Sequence, residues 1–407
     1  MDPVVPAVFI LVYAGMILGE IPGLRLDRAG VALLGAIALV VSGRTSPEEA
    51  WASVDVGTVA LLFGLMVVSA QFRLGGFYAA LTRAIAARGG SADRLLALVV
   101  AASGLLSAFL ANDIVCLAMA PVLLQACVRR GLDPVPFLLA LAAAANVGSA
   151  GTLIGNPQNM LVGQRLGLSF AGYLADGAAP ALAGLVVVFV VVRHLYRGKW
   201  SRSLAAPEVE SPPLDRWQSI KGGLVLAVIV VAFLLAPWPR EAVALAAAGL
   251  LLTSRRMASR DVLGLVDWQL LILFLGLFVV NGALAETGLV SRALESAAGG
   301  GVDLARPPIL FGATVVLSNL VSNVPAVMLL LPAARDPLAG PLLALVSTLA
   351  GNLLVVGSIA NIIVVEESRR LGLAIDWRTH ARVGVPVTLG TLAVAAMWLW
   401  LRAGALS

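Results

Sequence analysis

One carboxylate, Asp113, stands in the middle of a long stretch that carries no other charge, next to Asn112. An ionisable group at membrane depth is costly to keep and by default marks a path for ions or substrate. It can also cap the helix that follows it. Three more polar clusters interrupt apolar sequence: Ser149 and Thr152 running into Gly155-Asn156-Pro157-Gln158-Asn159, then Ser322-Asn323-Val324-Pro325, then Gly357-Ser358-Ile359-Ala360-Asn361. Pro157 lacks a backbone donor and clashes with the preceding turn, and the glycines permit non-helical backbone. Such irregular backbone persists at membrane depth only where it is buried or lines a wet cavity. Helix ends freed there offer N–H groups to anions and C=O groups to cations.

The binding residues expected from these clusters are Asn112, Asp113, Ser149, Thr152, Gly155, Asn156, Gln158, Asn159, Ser322, Asn323, Gly357, Ser358 and Asn361. A sodium ion would sit near Asn112, Asp113 and Asn323. A single asparagine of this kind could simply glue packed helices together; four clusters in related positions favour a site. Asp55 and Asp267 fall at helix starts, where a carboxylate suits the dipole. Arg73 and Glu286 fall at segment ends, where long side chains reach the interface.

These groups need a membrane scaffold. Of 407 residues, 60% are hydrophobic and 13% charged, with a mean hydropathy of +0.96; a soluble domain carries about 25% charged residues. The net charge of +5 does not imply nucleic acid, because the basic residues lie in short gaps between apolar runs rather than on one face. Cys116 and Cys127 lie inside apolar segments and do not suggest a disulfide framework. Met1-Asp2-Pro3 lacks the basic start of a cleavable signal, so the first run is expected to stay as a helix.

Charge-free runs occur at 3–19, 29–43, 56–72, 134–164, 177–192, 222–239, 242–254, 268–285, 337–365 and 383–401. Ten crossings follow, since a membrane helix needs about 20 apolar residues. The stretches 95–128 and 307–334 are long for one crossing and short for two, with arms of about 20–25 Å at 1.5 Å per residue. They read as re-entrant helical hairpins; two full tilted crossings would leave the parity unchanged. Placing the 193–221 loop in the cytoplasm leaves only Arg44, Arg165, Arg240, Arg292, Arg306, Arg335 and Arg402 outside, of 28 basic residues. That bias orients the chain in the cell membrane with both termini outside, and Asp2 fits an outer N-terminus.

The two sides of the 193–221 loop resemble each other. Val54-Asp55 and Phe63-Gly64-Leu65 recur as Val266-Asp267 and Leu275-Gly276-Leu277, at a constant offset of 212. Ser107, Asn112 and Pro121 recur as Ser318, Asn323 and Pro332 at an offset of 211, and Arg165-Leu166-Gly167-Leu168 as Arg370-Leu371-Gly372-Leu373. The expected fold is an all-α polytopic membrane protein of two inverted repeats. Each has five transmembrane helices, one of them broken, plus a re-entrant hairpin. Residues 1–196 form the first repeat, 197–218 a cytoplasmic linker and 219–407 the second repeat. Five is odd, so the halves insert oppositely, as in many secondary transporters.

Ser107-Ala108-Phe109-Leu110-Ala111-Asn112-Asp113, Asn146-Val147-Gly148-Ser149-Ala150-Gly151-Thr152 with its following Gly155-Asn156-Pro157-Gln158-Asn159, and Ser322-Asn323-Val324-Pro325 resemble the ion transporter superfamily. That group includes arsenite permeases, citrate transporters, divalent anion/sodium symporters and some sodium/proton antiporters. The Asn112-Asp113 tip is similar to the arsenite permease and citrate transporter-like branch. The Ser-Asn-Thr of the dicarboxylate symporters is at neither tip. The resemblance implies a scaffold at 1–90 and 219–300 and a transport domain at 91–196 and 301–407 that moves as an elevator, with a homodimer through the scaffold.

The expected function is secondary transport of a small anion or oxyacid, inorganic, metalloid or carboxylate, coupled to Na+ or H+ and needing no cofactor. A sodium/proton antiporter of the same superfamily is the alternative, and a channel would share the polar interior. An intramembrane enzyme would need a paired nucleophile and base at depth, and His194 and His380 both fall in expected cytoplasmic loops. The topology has a direct check. With Ser203→Cys and Ser407→Cys made separately, an impermeant thiol reagent on intact cells should label only the second; equal labelling would overturn the orientation.

Overall fold

The computed structural model describes residues 3–19, 26–88, 90–205 and 207–406, so Asp2 and Ser407 lie outside the described residues. Within them the chain is helical, and the only pairing of extended backbone is an isolated bridge between Leu132 and Ser201. The first half runs α1 (Val4–Leu18), α2 (Arg28–Val41), α3 (Pro47–Ser53), α4 (Val56–Leu74), α5 (Phe77–Ala87), α6 (Ala92–Phe109), α7 (Asn112–Arg129), α8 (Pro134–Ser149), α9 (Pro157–Arg165) and α10 (Phe170–Tyr196). The second runs α11 (Arg216–Leu235), α12 (Arg240–Leu252), α13 (Ser259–Leu263), α14 (Trp268–Glu286), α15 (Leu289–Gly299), α16 (Pro307–Val321), α17 (Asn323–Leu330), α18 (Ala339–Ala350), α19 (Ile359–Arg370) and α20 (Trp377–Leu406).

Many of these starts are dictated locally. Asp27, Asp55, Ser91, Asp133, Asn156, Ser169, Asp215, Asp267 and Ser358 each accept a first-turn N–H at the head of a helix. Each satisfies a donor that the helix cannot pair itself. Asp55 and Asp267 therefore do what their positions suggested.

The repeat is visible as ten helices followed by ten of the same order. Contacts between the halves come in exchanged pairs: α2 packs on α14 and α12 on α4, α7 on α19 and α17 on α9, α8 on α19 and α18 on α9. Within the halves α6 packs on α8 as α16 does on α18. At the crossing of α4 with α12, a methyl group on Gly64 would come within 2.7 Å of the Ala244 backbone. Its counterpart on Gly276 would come within 2.5 Å of the Ala32 backbone. Both pairs differ by 212 in number, so one tight helix crossing is used twice.

Among the described residues, seven helices are long and apolar enough to cross a membrane: α4, α6, α7, α10, α11, α14 and α20. The other expected crossings are the shorter α1, α2 and α12, with 15, 14 and 13 residues, and the broken pairs α8–α9 and α18–α19. Side chains such as Leu11, Val186, Leu224, Val228 and Leu389 point outward, while Ser69, Gln71, Asn146 and Thr348 are buried. This inside-out distribution is that of a protein whose solvent is lipid.

Three expectations need correction. The arms of the first hairpin, α6 and α7, have 18 residues each, about 27 Å at 1.5 Å per residue, longer than expected. Pro121 is accommodated inside α7, whereas at the equivalent Pro332 the chain tightens into the 3-10 turn Leu331–Ala333 and the arm stays short. The linker ends early, because Asp215 caps α11 at Arg216. It is also not free: Trp200, Arg202, Pro207, Ser211 and Asp215 bond to residues of the first half. Finally, His380 is not in a loop but buried in the first turns of α20, with Nε2 3.2 Å from the Asn352 carbonyl oxygen.

The glycine crossings generate a stability test. Gly64→Leu or Gly276→Leu should each lower the unfolding temperature in detergent, since forcing side chains into a packed crossing costs about 1–3 kcal/mol. Gly249→Ala, where the added carbon meets nothing within 4 Å, should be neutral or slightly stabilising. Equal effects at the three positions would remove the crossings as a determinant of the fold.

Candidate functional site

The first residues of four helices line one small cavity. Asn112 and Asp113 come from α7, Pro157 and Gln158 from α9, Asn323 and Val324 from α17, and Ile359 from α19; Asn156, Ser322 and Ser358 precede the last three. Leu270 of α14 closes one wall. The cavity measures about 40 Å³, room for about three water-sized groups at roughly 10–15 Å³ each. The two hairpin tips meet here beside both helix breaks.

Both breaks are held by the same device. The Asn159 amide nitrogen donates to the carbonyls of Thr152 (2.9 Å) and Ser149 (3.4 Å). The Asn361 amide nitrogen donates to those of Gly351 (2.9 Å) and Leu354 (3.1 Å). Tyr173 supports the first break by donating to Ala150 O at 2.8 Å. Thr152 donates through its hydroxyl to Ala108 O on the hairpin arm. Gly155 permits close approach there, since a methyl group would lie 2.4 Å from Ser149 O and 2.6 Å from Ser107 O.

The halves are then tied to each other. Asn146 accepts from Asn112 (3.1 Å) and Ser358 (2.8 Å), and donates to Asn352 (2.9 Å) and Asn361 (3.2 Å). At the equivalent place in the second half, Thr348 accepts from Asn156 (3.2 Å) and Gln158 (3.0 Å), while its own hydroxyl hydrogen goes to Ala344 O at 2.8 Å. Turned so that its nitrogen faces the carbonyls, the Asn323 amide donates to Ser347 O (2.9 Å) and Gly357 O (3.3 Å).

The structure therefore divides the expected residues. Asn112, Asp113, Asn156, Gln158, Ser322, Asn323 and Ser358 reach the cavity. Ser149, Thr152, Gly155, Asn159, Gly357 and Asn361 lie behind it and shape the two breaks. Asn146, Thr348, Asn352 and Tyr173 were not among the expected residues. The first two are signalled by an offset of 202 shared with Asn159 and Asn361, and Tyr173 has no local signature.

Asp113 sits in the first turn of α7, half-buried, and accepts the Ile114 N–H at 2.8 Å; the N-cap position itself is Ala111. No Lys or Arg forms an ion pair with it among the described residues. Buried hydroxyl oxygens of Ser107 and Ser318, one on each hairpin, have no hydrogen-bond partner there either.

A polar cavity where four helix starts meet, enclosed by helices that present apolar side chains outward, defines a membrane transport protein. The chain belongs to the citrate transporter family, whose pattern it matches over residues 13–350. It is 30% identical to a 46 kDa membrane protein of Mycobacterium leprae across 99% of both chains. It is 28% identical to the silicon efflux transporter LSI3 of rice over 92% of this chain and 93% of that one. In three dimensions it resembles the YdaH transporter of Alcanivorax borkumensis with a TM-score of 0.62 at 16% identity, covering 98% and 97% of the two chains. The family consists of transporters, and this chain is not an enzyme.

The division of labour can be tested. Asn146→Ala orphans partners in both halves, and each buried polar group left unpaired costs about 1–3 kcal/mol. Both unfolding temperature and transport should fall. Asn112→Ala and Asn323→Ala should reduce transport with smaller losses of stability. If Asn146→Ala unfolds like wild type, the inter-half network is not a structural tie.

Proposed function

We propose that this chain is a secondary active transporter for a small anion or oxyacid, coupled to Na+ or H+, working by elevator-type alternating access. The observation that carries the reading is the convergence of four helix N-termini on a cavity that holds one carboxylate and no Lys or Arg. Each N-terminus acts as about half a positive charge, so oxygen-rich solutes are favoured there.

Asp113 sets the coupling. A monoanion about 5 Å from an ionised carboxylate would be opposed by about 3 kcal/mol at an effective dielectric of 20. A proton or Na+ on Asp113 removes that opposition. The unpartnered Ser107 and Ser318 oxygens supply further acceptors for a cation close to the tips. The counterpart of Asp113 in the other half is Val324, which cannot ionise, so the charge lies on one tip alone.

The small cavity favours compact solutes over a large tricarboxylate. A rice relative is a silicon efflux transporter, which agrees with a hydroxylated, weakly charged cargo. The elevator reading draws on the origin of the walls. Apart from Leu270, every residue lining the cavity lies within 91–196 or 301–407, so those segments can carry the site past the rest.

Purified protein in liposomes should be screened with boric, silicic and arsenous acids, phosphate and citrate, with and without Na+ and pH gradients. Gradient-driven accumulation of a compact oxyacid is expected. Na+/H+ exchange with no cargo would favour the antiporter instead. Asp113→Asn, which keeps size but fixes the charge at zero, should still bind and fold yet lose gradient-driven accumulation. Unchanged ion dependence in that variant would place coupling elsewhere.

A further inference from the structure

The far end of α9 is fastened to the surrounding helices by bonds that the equivalent end of α19 lacks. Arg165, the last residue of α9, pairs through Nε with Asp55 Oδ2 at 2.8 Å, donates to Ser53 O at 3.4 Å and lies over the Phe278 ring at 5.2 Å. The two residues before it are also held. Gln164 donates to Glu241 at 3.0 Å, and Arg240 donates to Gly163 O at 2.8 Å. A cavity of about 400 Å³ opens beside this cluster, bordered by Ser53, Arg165, Leu166 and Asn281.

The repeat places the same chemistry at the α19 end. Arg370 corresponds to Arg165, Asp267 to Asp55 and Arg28 to Arg240. None is engaged in the same way. Arg370 pairs inside its own helix, with Glu366 at 3.4 Å and Glu367 at 2.9 Å. Asp267 caps α14, and Arg28 donates to Met16 O at 3.2 Å. One chain thus carries the device twice, closed at one end and open at the other. Two halves built alike can exchange conformations, giving a second state of comparable energy.

We propose that Asp267 and Arg370 close as an ion pair in the opposite-facing state, and that this pair alternates with Asp55–Arg165 so that each state has its own latch. The inference rests on the alternating-access reading of the function. A partly exposed ion pair contributes little by itself, which suits a contact that must break in every cycle. Opening Asp55–Arg165 frees the α9 end, and Arg370 exchanges its local glutamates for Asp267 as the α19 end approaches the head of α14.

Crosslinking tests this without knowledge of the cargo. Ser53 and Leu166, which flank the cavity by the closed latch, correspond to Leu265 and Leu371 at the open one. Two proteins are made in a Cys116→Ala, Cys127→Ala background: Ser53→Cys with Leu166→Cys, and Leu265→Cys with Leu371→Cys. Both are reconstituted in liposomes and treated with a short bismaleimide. The first pair should crosslink readily and the second in a smaller fraction. Adding Arg165→Gln should raise the second yield several-fold and lower the first, while adding Asp267→Asn should lower the second. Absence of any Leu265–Leu371 product while the first pair crosslinks would overturn the proposal, as would yields that ignore both charge changes. If the yields respond as expected but no cargo accumulates in the liposome screen, the alternating latches stand and the carrier reading falls.

Discussion

The centre of this protein depends on pairing backbone groups that two broken helices would otherwise leave bare where there is no water. An unpaired peptide group in hydrocarbon costs several kcal/mol, so a break is tolerated only if something stands in for the missing helix bonds. Asn159 and Asn361 do so in the same manner, each giving its amide hydrogens to carbonyls of its own break. Asn146 and Thr348 then lock each break to the other half. Removing side chains from this set would free carbonyls just behind the cavity, so the bonds that hold the breaks also hold the cavity's shape.

The symmetry is deliberate in packing and broken in charge. Tight crossings at Gly64 and Gly276, caps at Asp55 and Asp267, and hairpin amides at Asn112 and Asn323 are all duplicated. Asp113 opposite Val324 is not. In the proposed cycle, duplication would give two conformations of similar energy, and one unpaired carboxylate would let the balance between them respond to ions. A site with matched charges on both tips would hold cargo equally well but would have less to sense.

Much of this was legible in the chain. Apolar runs and the 212 and 211 offsets marked the helices and the matching order of the two halves, because burial and charge cost leave marks residue by residue. The cluster motifs located the cavity, but not which residues face it. Asn156 and Asn159 lie on one short helix start, and only the fold turns one toward the cavity and the other toward Tyr173. His380 misled because a polar residue among Asp376, Arg378 and Arg382 looks the same in a loop or a first helical turn. The short helices α3, α13 and α15 leave no apolar run to find, α5 is apolar but short and interrupted by Arg83, and the roles of Asn146 and Thr348 are fixed by contacts some 200 residues away.

The shortness of α2 and α12 reaches beyond the protein. With 14 and 13 residues they span about 20 Å at 1.5 Å per residue, against a hydrocarbon layer of about 30 Å. Leu33, Leu34 and Ile37 of α2, and Leu245 and Leu250 of α12, are exposed on these helices. Acyl chains beside them must compress or splay to match, at a fraction of a kcal/mol per Å of mismatch. Lipid packed against these two helices would be drawn toward their length. Membrane thickness becomes a variable in the energy of the resting molecule, as much a part of its environment as the ion gradients on either side.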